Sequence, residues 1–417
     1  MKELYRFEIE KQKQNRKWVL TVLILAVAYY LCSGFFGNTE LNTGYSKEFL
    51  FEHPVYLETL KSQQSGIVDE DFVKKWQQSY RDFVDTYRRS DEEIYAAMEE
   101  WGEHYKIEDI LYDMEYSYLV ISDEAWDAGN AASWQLDNIM YEGQNIVDLA
   151  ENPEERIKYG GSFDTYPKNL QADFEKAVCQ YMTGRKIVAG YFLGWDALIS
   201  MMQHLPAVLG ITLLISFFHL FSDEKKYGMK SLFLVSKYGR KCAVTAKLIF
   251  VWRTATLCWL VFQAAAIVPV AAVFGLQGAG CTFYSPLHPS VYGFSCIRYY
   301  MVQLLVSYFG TMFFAFVICL LSCVLSGKLT LLAGAALVVG TSNAIDQYMF
   351  SEPAFTLWQK LLVLMPTQLI GAFNTYQSYQ GYAIGKFVIR LPVASYLALI
   401  LGIAFCLWGI YKRGNCE

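Results

Sequence analysis

Residues 222–247 read SDEKKYGMKSLFLVSKYGRKCAVTAK, and they lie between two long apolar segments. Two acidic residues stand against seven basic ones in this stretch: Asp223 and Glu224 against Lys225, Lys226, Lys230, Lys237, Arg240, Lys241 and Lys247. A short loop with this excess belongs on the cytoplasmic side of a membrane, because basic residues beside a span resist translocation. Met229, Leu232 and Phe233 follow the i, i+3, i+4 spacing of a helix with one apolar face. The stretch predicts a short helix that docks into a groove of another protein, with a solvated charged loop as the alternative.

The composition of the chain is that of a membrane protein. Of its 417 residues 54% are hydrophobic and 18% are charged, whereas about a quarter of a soluble protein is charged. The net charge of −5 conceals two parts. Residues 37–200 hold 32 of the 40 acidic residues and 14 of the 35 lysines and arginines, a net charge of −18, and the remainder carries +13. The basic residues flank apolar runs and form no continuous stripe, so nucleic acid is not an expected partner.

Apolar runs predict an all-α membrane protein with about six transmembrane helices. Span one covers residues 18–36, span two residues 197–221, spans three to five residues 248–345, and span six residues 391–411. The first run has no charge and is long enough as a helix to cross about 30 Å of hydrocarbon. Pro206 falls inside the second run, where a membrane helix can tolerate it.

The flanking segments predict the orientation of these spans. Residues 1–17 contain six basic residues and predict an interfacial helix on the inner leaflet, and residues 412–417 form a cytoplasmic tail. The loop 276–295 has no charged residue, as expected outside. We therefore expect a multi-pass protein of the cell (plasma) membrane with both termini cytoplasmic.

Residues 346–390 do not fit this simple pattern. Prolines break their apolar run, so the segment either re-enters the membrane or lies on its outer surface. Lys360, Lys386 and Arg390 also place positive charge on the outer side. Long side chains near the interface make this conflict tolerable.

Residues 37–196 predict a mainly helical, acidic extracytoplasmic domain inserted between spans one and two. Residues 69–89 carry aromatic residues at spacings of three and four, and Ser90 begins a capping-box pattern, S-D-E-E. A helical period continues through residues 107–118, and another follows Pro167. We expect these stripes to pack against each other, with an aromatic ligand-binding surface as the second possibility.

The sequence lacks the common catalytic motifs. It contains no Walker A pattern, no HExxH and no G-x-S-x-G. We therefore expect no catalytic residue, no metal site and no cofactor, and the chain is not predicted to be an enzyme. Among ten cysteines, Cys281 and Cys296 have a spacing that permits a disulfide across the outer loop, without requiring one.

The arrangement of segments resembles the membrane (permease) subunit of a type 2 ATP-binding-cassette (ABC) transporter. Three features carry the resemblance: the basic start with Phe7 and Glu8, the large insertion after span one, and the residues of the 222–247 stretch. In that stretch Glu224 and Gly228 precede an apolar run, and Ser236, Lys237, Arg240 and Lys247 follow it. Met229 stands where the family often has a small hydroxyl residue.

The resemblance implies a function and a set of partners. The cytoplasmic segment would be the coupling helix that contacts a separate ABC ATPase subunit, through Glu224, Gly228, Leu232, Phe233, Lys237 and Arg240. The chain would form a homodimer or a heterodimer with a second permease, in contact with membrane lipid. It would then act in export, and ATP would be hydrolysed on the other subunit.

Other classes of function also fit the sequence. A membrane-anchored sensor or immunity protein would use the outer helical domain to bind a peptide or envelope component, without an ATPase. A channel or scaffold and an intramembrane enzyme are further readings. The sequence leaves the substrate unassigned.

Overall fold

The computed structural model describes residues 16–35, 57–58, 61, 65–113, 116–122, 167–182, 186, 188–222, 239–283, 292–348, 357–372, 374–377 and 379–416. The described residues are mostly helical, 76% of them, with few strands. The prediction of a mainly helical protein is therefore confirmed.

Three helices are long and apolar enough to cross a membrane, and they mark the chain as a membrane protein. They are Cys242–Val273, Cys296–Val324 and Leu391–Arg413. They coincide with the predicted third, fourth and sixth spans, although the third begins earlier than predicted. In full, these helices are α9 (Gly239–Val273), α10 (Cys296–Val324) and α15 (Leu391–Cys416).

The predicted first and fifth spans form shorter apolar helices in the described residues. Helix α1 (Arg16–Tyr30) ends in a π-helical turn and has the apolar part Leu20–Ser33. Helix α11 (Gly327–Tyr348) has the apolar part Gly327–Gly340. Both parts are shorter than the roughly 17–25 residues that a span needs. Six spans therefore stay a prediction.

The predicted second span is not one continuous helix, and its crossing of the membrane stays a prediction. Two helices, α7 (Leu193–Met201) and α8 (Leu205–Phe217), occupy it with a bend of 43° between them. Pro206 lies in the first turn of α8. Proline has no N–H to donate to the preceding turn and is accepted where a helix begins. Pro206 therefore lies where a new helix begins, and not inside the continuous helix that the sequence predicted.

Close approaches fix the directions of these helices. The Val338 side chain packs against Gly210, and the Leu214 side chain packs against Gly334. Helices α8 and α11 are therefore antiparallel. In the same way the Phe313 side chain packs against Gly402, and the Leu320 side chain packs against a second glycine further along α15. Helices α10 and α15 are therefore parallel. We call the end where α8 ends and α9 begins the basic end. The opposite end, where α9 ends and α10 and α15 begin, is the aromatic end.

The region between α1 and α7 contributes the helices α2 (Glu70–Tyr87), α3 (Asp91–Trp101), α4 (Ile107–Ile110), α5 (Ser117–Val120) and α6 (Lys168–Met182). The predicted capping box is confirmed: Ser90 N–H donates to Glu93 Oε2 at 2.9 Å, and Glu93 N–H donates to Ser90 Oγ at 3.4 Å. The continuous period predicted over residues 107–118 is wrong, because α4 and α5 are separate short helices.

The inserted region has its own small core and is tied to the aromatic end. Val84, Ile94 and Leu119 are among the buried residues of that core. Strands β1 (Gly66–Ile67) and β2 (Val188–Ala189) pair antiparallel just before α7. The extracytoplasmic position of this region stays a prediction, as do the boundaries of the domains.

Between α11 and α15 the described chain forms α12 (Leu357–Val363), α13 (Pro366–Gly371), α14 (Asn374–Gln377) and the hairpin of β3 (Gly381–Ile384) and β4 (Phe387–Arg390). Helix α13 is buried in the bundle: a Cβ on Gly310, halfway along α10, would lie 2.3 Å from the Leu369 carbonyl oxygen. This part of residues 346–390 enters the bundle, whereas the hairpin remains at the aromatic end.

Candidate functional site

Most of the predicted ATPase-contacting residues lie outside the described residues: Glu224, Gly228, Leu232, Phe233 and Lys237. Arg240 lies in the first turn of α9. The chain on both sides of residues 223–238 is described. We call the contacts around these two chain ends the frame.

One serine fixes the chain that enters the segment. The Ser322 hydroxyl accepts hydrogen bonds from the backbone N–H groups of Phe221 at 3.1 Å and Ser222 at 3.2 Å. All three residues are buried. A buried N–H without a partner costs about 1–3 kcal/mol. Ser322 of α10 therefore stabilises one position of this chain.

A buried lysine fixes the chain that leaves the segment. Lys247 lies two turns into α9 and is only 1% exposed. Its ammonium group donates to the Leu220 carbonyl oxygen at 3.2 Å and lies 4.6 Å from the centre of the Phe221 ring. Leu220 follows the end of α8, where the helix dipole favours a positive charge. Lys247 therefore binds the start of α9 to the end of α8.

A further contact joins the last helix to this frame. The hydroxyl groups of Thr245 and Tyr411 are 2.8 Å apart, one on α9 and the other on α15. A Cβ on Gly327 would lie 3.1 Å from Ser222 Oγ, so the start of α11 packs on the same point. Five helices thus meet around the two ends of residues 223–238.

The middle of the bundle contains an uncharged polar cluster at the break between α7 and α8. The Gln263 amide donates to Met202 Sδ at 3.7 Å and accepts from the Tyr300 hydroxyl at 3.3 Å. The Gln303 amide donates to the Gly371 carbonyl oxygen at 3.4 Å. Polar side chains inside a membrane bundle hold helices together by such bonds. This cluster ties α9, α10 and α13 to the helix break.

The aromatic end contains an ion pair between distant parts of the chain. Arg390 donates to both carboxylate oxygens of Asp173, at 2.8 and 3.1 Å. The Tyr379 hydroxyl donates to the same carboxylate at 2.5 Å, and the Arg390 guanidinium lies 5.8 Å from the centre of the Tyr181 ring. Asp173 and Tyr181 belong to α6, whereas Arg390 directly precedes α15. The pair therefore joins the inserted region to the last apolar helix.

The charged form of Asp173 is stabilised in this pair. Partial burial alone would raise the pKa of its carboxyl group, but the hydrogen bonds from Arg390 and Tyr379 and the charge of Arg390 outweigh it, so the pKa lies below its usual range. The pKa of Arg390 is raised, first by its hydrogen bond to Asp173. At neutral pH the pair is therefore fully ionised.

Sequence reasoning missed both Asp173 and the structural part played by Arg390 and Lys247. Arg390 was noted only as a positive charge on the wrong side, and its partner stands 217 positions earlier. Lys247 was counted with the basic residues of the loop. The sequence did offer one indication for Arg390. A cation directly before a predicted span, on the outer side, needs either a partner or solvent.

The disulfide that the spacing of Cys281 and Cys296 permits is not formed. Cys281 and Cys296 are free thiols, although Cys296 N–H donates to the Cys281 carbonyl oxygen at 2.9 Å. The described residues contain no group of three or more His, Cys, Asp or Glu side chains that could hold a metal ion.

Comparisons with family models, curated proteins and solved structures find no match to this chain.

Proposed function

We propose that the chain is the transmembrane permease subunit of an ABC transporter, working in export with a separate cytoplasmic ATPase. The observation that carries the proposal is the frame around residues 223–238. A segment held at both ends by buried contacts passes an applied displacement to the helices behind it. Residues 222–247 also have the charge and apolar spacing expected of a helix that docks on a partner.

The proposed topology has six spans, with the basic end in the cytoplasm. The seven basic residues of the 222–247 stretch would then follow the positive-inside rule. The inserted region of α2–α6 would be extracytoplasmic, because the aromatic end is opposite the basic end. The net charge of −18 over residues 37–200 would face the outside.

The proposed mechanism is mechanical. ATP-driven closure of two ATPase subunits would push on the coupling segment of each permease in a homodimer or heterodimer. Lys247 and Ser322 would carry this displacement to α8, α9 and α10 as one body. The Asp173–Arg390 pair would connect the same bundle to the inserted region at the opposite end.

Charge reversal within the segment tests this proposal. We expect the Lys237→Glu, Arg240→Glu double variant to lose most of the ATPase subunit that co-purifies with the wild-type chain, while membrane insertion is unchanged. The matched control is Lys412→Glu, Arg413→Glu, which reverses two exposed charges at the same end but outside the segment. Equal recovery of the ATPase with both double variants would contradict the proposal.

A further inference from the structure

The turn of the β3–β4 hairpin exposes two apolar side chains next to one lysine. Ile384 pairs with Phe387 across the hairpin, and their side chains are 59% and 78% exposed. Gly385 adopts a φ of +59° in the turn, where glycine meets no steric penalty. Lys386 is exposed beside it.

One face of the hairpin packs on α6. Side chains alternate between the faces of a strand, so Gly381, Val388 and Arg390 share one face. Arg390 binds Asp173 there, and Asn169 donates to the Gly385 carbonyl oxygen at 2.9 Å. The outer side of α6 is polar, with exposed Glu175 and Lys176 among its residues. This face of the hairpin therefore contacts α6, and the opposite side of α6 is polar and exposed.

The opposite face of the hairpin contacts α12. It carries Tyr382, Ile384 and Phe387. The Tyr382 hydroxyl donates to the Lys360 carbonyl oxygen at 2.6 Å, and the Lys360 ammonium donates to the Gly381 carbonyl oxygen at 2.7 Å. These two hydrogen bonds hold the hairpin and α12 together. The Lys360 ammonium group therefore points into this contact.

Helix α12 adds a second exposed apolar patch on the same unit. Trp358 and Leu361, one helical turn apart, are 76% and 41% exposed. Val363 on the inner side packs with Leu391, the first residue of α15. The patch therefore lies at the start of a membrane helix.

The exposed face of α15 continues this apolar surface away from the hairpin. Its exposed apolar residues include Val393, Leu397, Ile400, Leu401 and Phe405. A helix of this length and composition presents such a face to lipid. Phe387 stands four residues before the helix begins, within about 13 Å of it at strand spacing. The turn is therefore close to the membrane surface.

We propose that the turn surface, formed by Trp358, Leu361, Ile384, Lys386 and Phe387, binds the phospholipid bilayer at its interface on the aromatic-end side. The apolar side chains would enter the headgroup and acyl boundary, where tryptophan is enriched. Lys386 would extend to a lipid phosphate, because its stem can cover apolar surface while its charge stays hydrated. This lipid contact anchors the hairpin and, through Arg390, the docked helix α6. It does not depend on an ATPase partner.

Photocrosslinking in the native membrane tests the lipid contact. The full chain is made with benzoylphenylalanine at Phe387 or at Trp358, and with the same residue at Trp101 as the matched control. Trp101 is 67% exposed on α3, with no apolar span beside it in the sequence. All three positions are largely exposed, so the bulky residue displaces little packing.

We expect irradiation to add the mass of one phospholipid to the peptides containing positions 387 and 358, and to leave the peptide of position 101 without it. A lipid adduct at either position, above the level at position 101, supports the proposal, so one poorly folding variant does not decide the result. Adducts to a second copy of the chain or to another protein at both positions would overturn the proposal. So would lipid adducts no more abundant than at position 101.

Discussion

Replacing Asp173 by asparagine breaks the ion pair at the aromatic end while keeping the size of the side chain. The side chains of Arg390 and Asp173 are 17% and 21% exposed. An exposed pair contributes up to about 1 kcal/mol, and breaking a fully buried pair costs about 3–5 kcal/mol. For a pair about one-fifth exposed we expect an intermediate loss of about 2 kcal/mol, roughly thirtyfold in the opening equilibrium of the docked hairpin.

Hydrogen exchange in lipid nanodiscs measures this opening directly. Amide protons of residues 381–390 exchange when the hairpin leaves α6 or unfolds locally. Asp173→Asn should speed their exchange roughly thirtyfold, and the amides in the middle of α10 should be unchanged. The control Glu175→Gln removes an exposed charge two residues away on the same helix. Equal exchange in the two variants and the wild type would refute the role of the pair.

The same contact predicts a pH dependence of defined sign. The Asp173 pKa lies below its ordinary value of 3.8 in the folded protein. A lowered carboxyl pKa stabilises the docked state above the ordinary value, and this contribution is lost as the pH falls through the lowered pKa. Hairpin protection should therefore be constant from pH 7 to about 5 and should fall only in stronger acid. Asp173→Asn should remove that acid-dependent step.

Three further substitutions test the packing. Gly310→Ala places a Cβ 2.3 Å from the Leu369 carbonyl oxygen and should lower the melting temperature in nanodiscs, at a cost of about 1–3 kcal/mol; Gly340→Ala, which meets no atom within 4 Å, should leave the melting temperature equal or slightly higher. Ser90→Ala removes the capping box and should raise amide exchange in α3 by an amount that corresponds to about 1 kcal/mol; exchange unchanged from wild type would contradict the capping role. Lys247→Met removes the bond to Leu220 and should weaken ATPase association more than Lys247→Arg does; equal association would remove Lys247 from the proposed mechanism.

Local patterns in the sequence were enough for several elements of the fold. The Ser90–Glu93 capping box uses atoms three residues apart, so the sequence alone contains both partners. The long apolar helices α9, α10 and α15 were predictable from composition, because a helix that crosses lipid needs a long run of apolar residues. The start of α9 was placed too late, since its first turns are basic and the hydrophobic pattern begins only beyond Lys247.

Long-range contacts and helix breaks were beyond the sequence. Asp173 and Arg390 are separated by 217 positions, and nothing near Asp173 signals an ion pair. The break between α7 and α8 lies against α13: a Cβ on Gly371 would lie 2.5 Å from the Met202 carbonyl oxygen. Membrane helices often tolerate proline, so Pro206 alone did not predict the break.

The most direct test of the proposed function is a gentle-detergent purification of the full chain from its native membrane, followed by mass spectrometry of its partners. We expect a stoichiometric ABC ATPase subunit that is lost when residues 224–240 are disrupted. Recovery of the chain alone, or only with envelope proteins, would contradict it and would favour a sensor or immunity function of the inserted region.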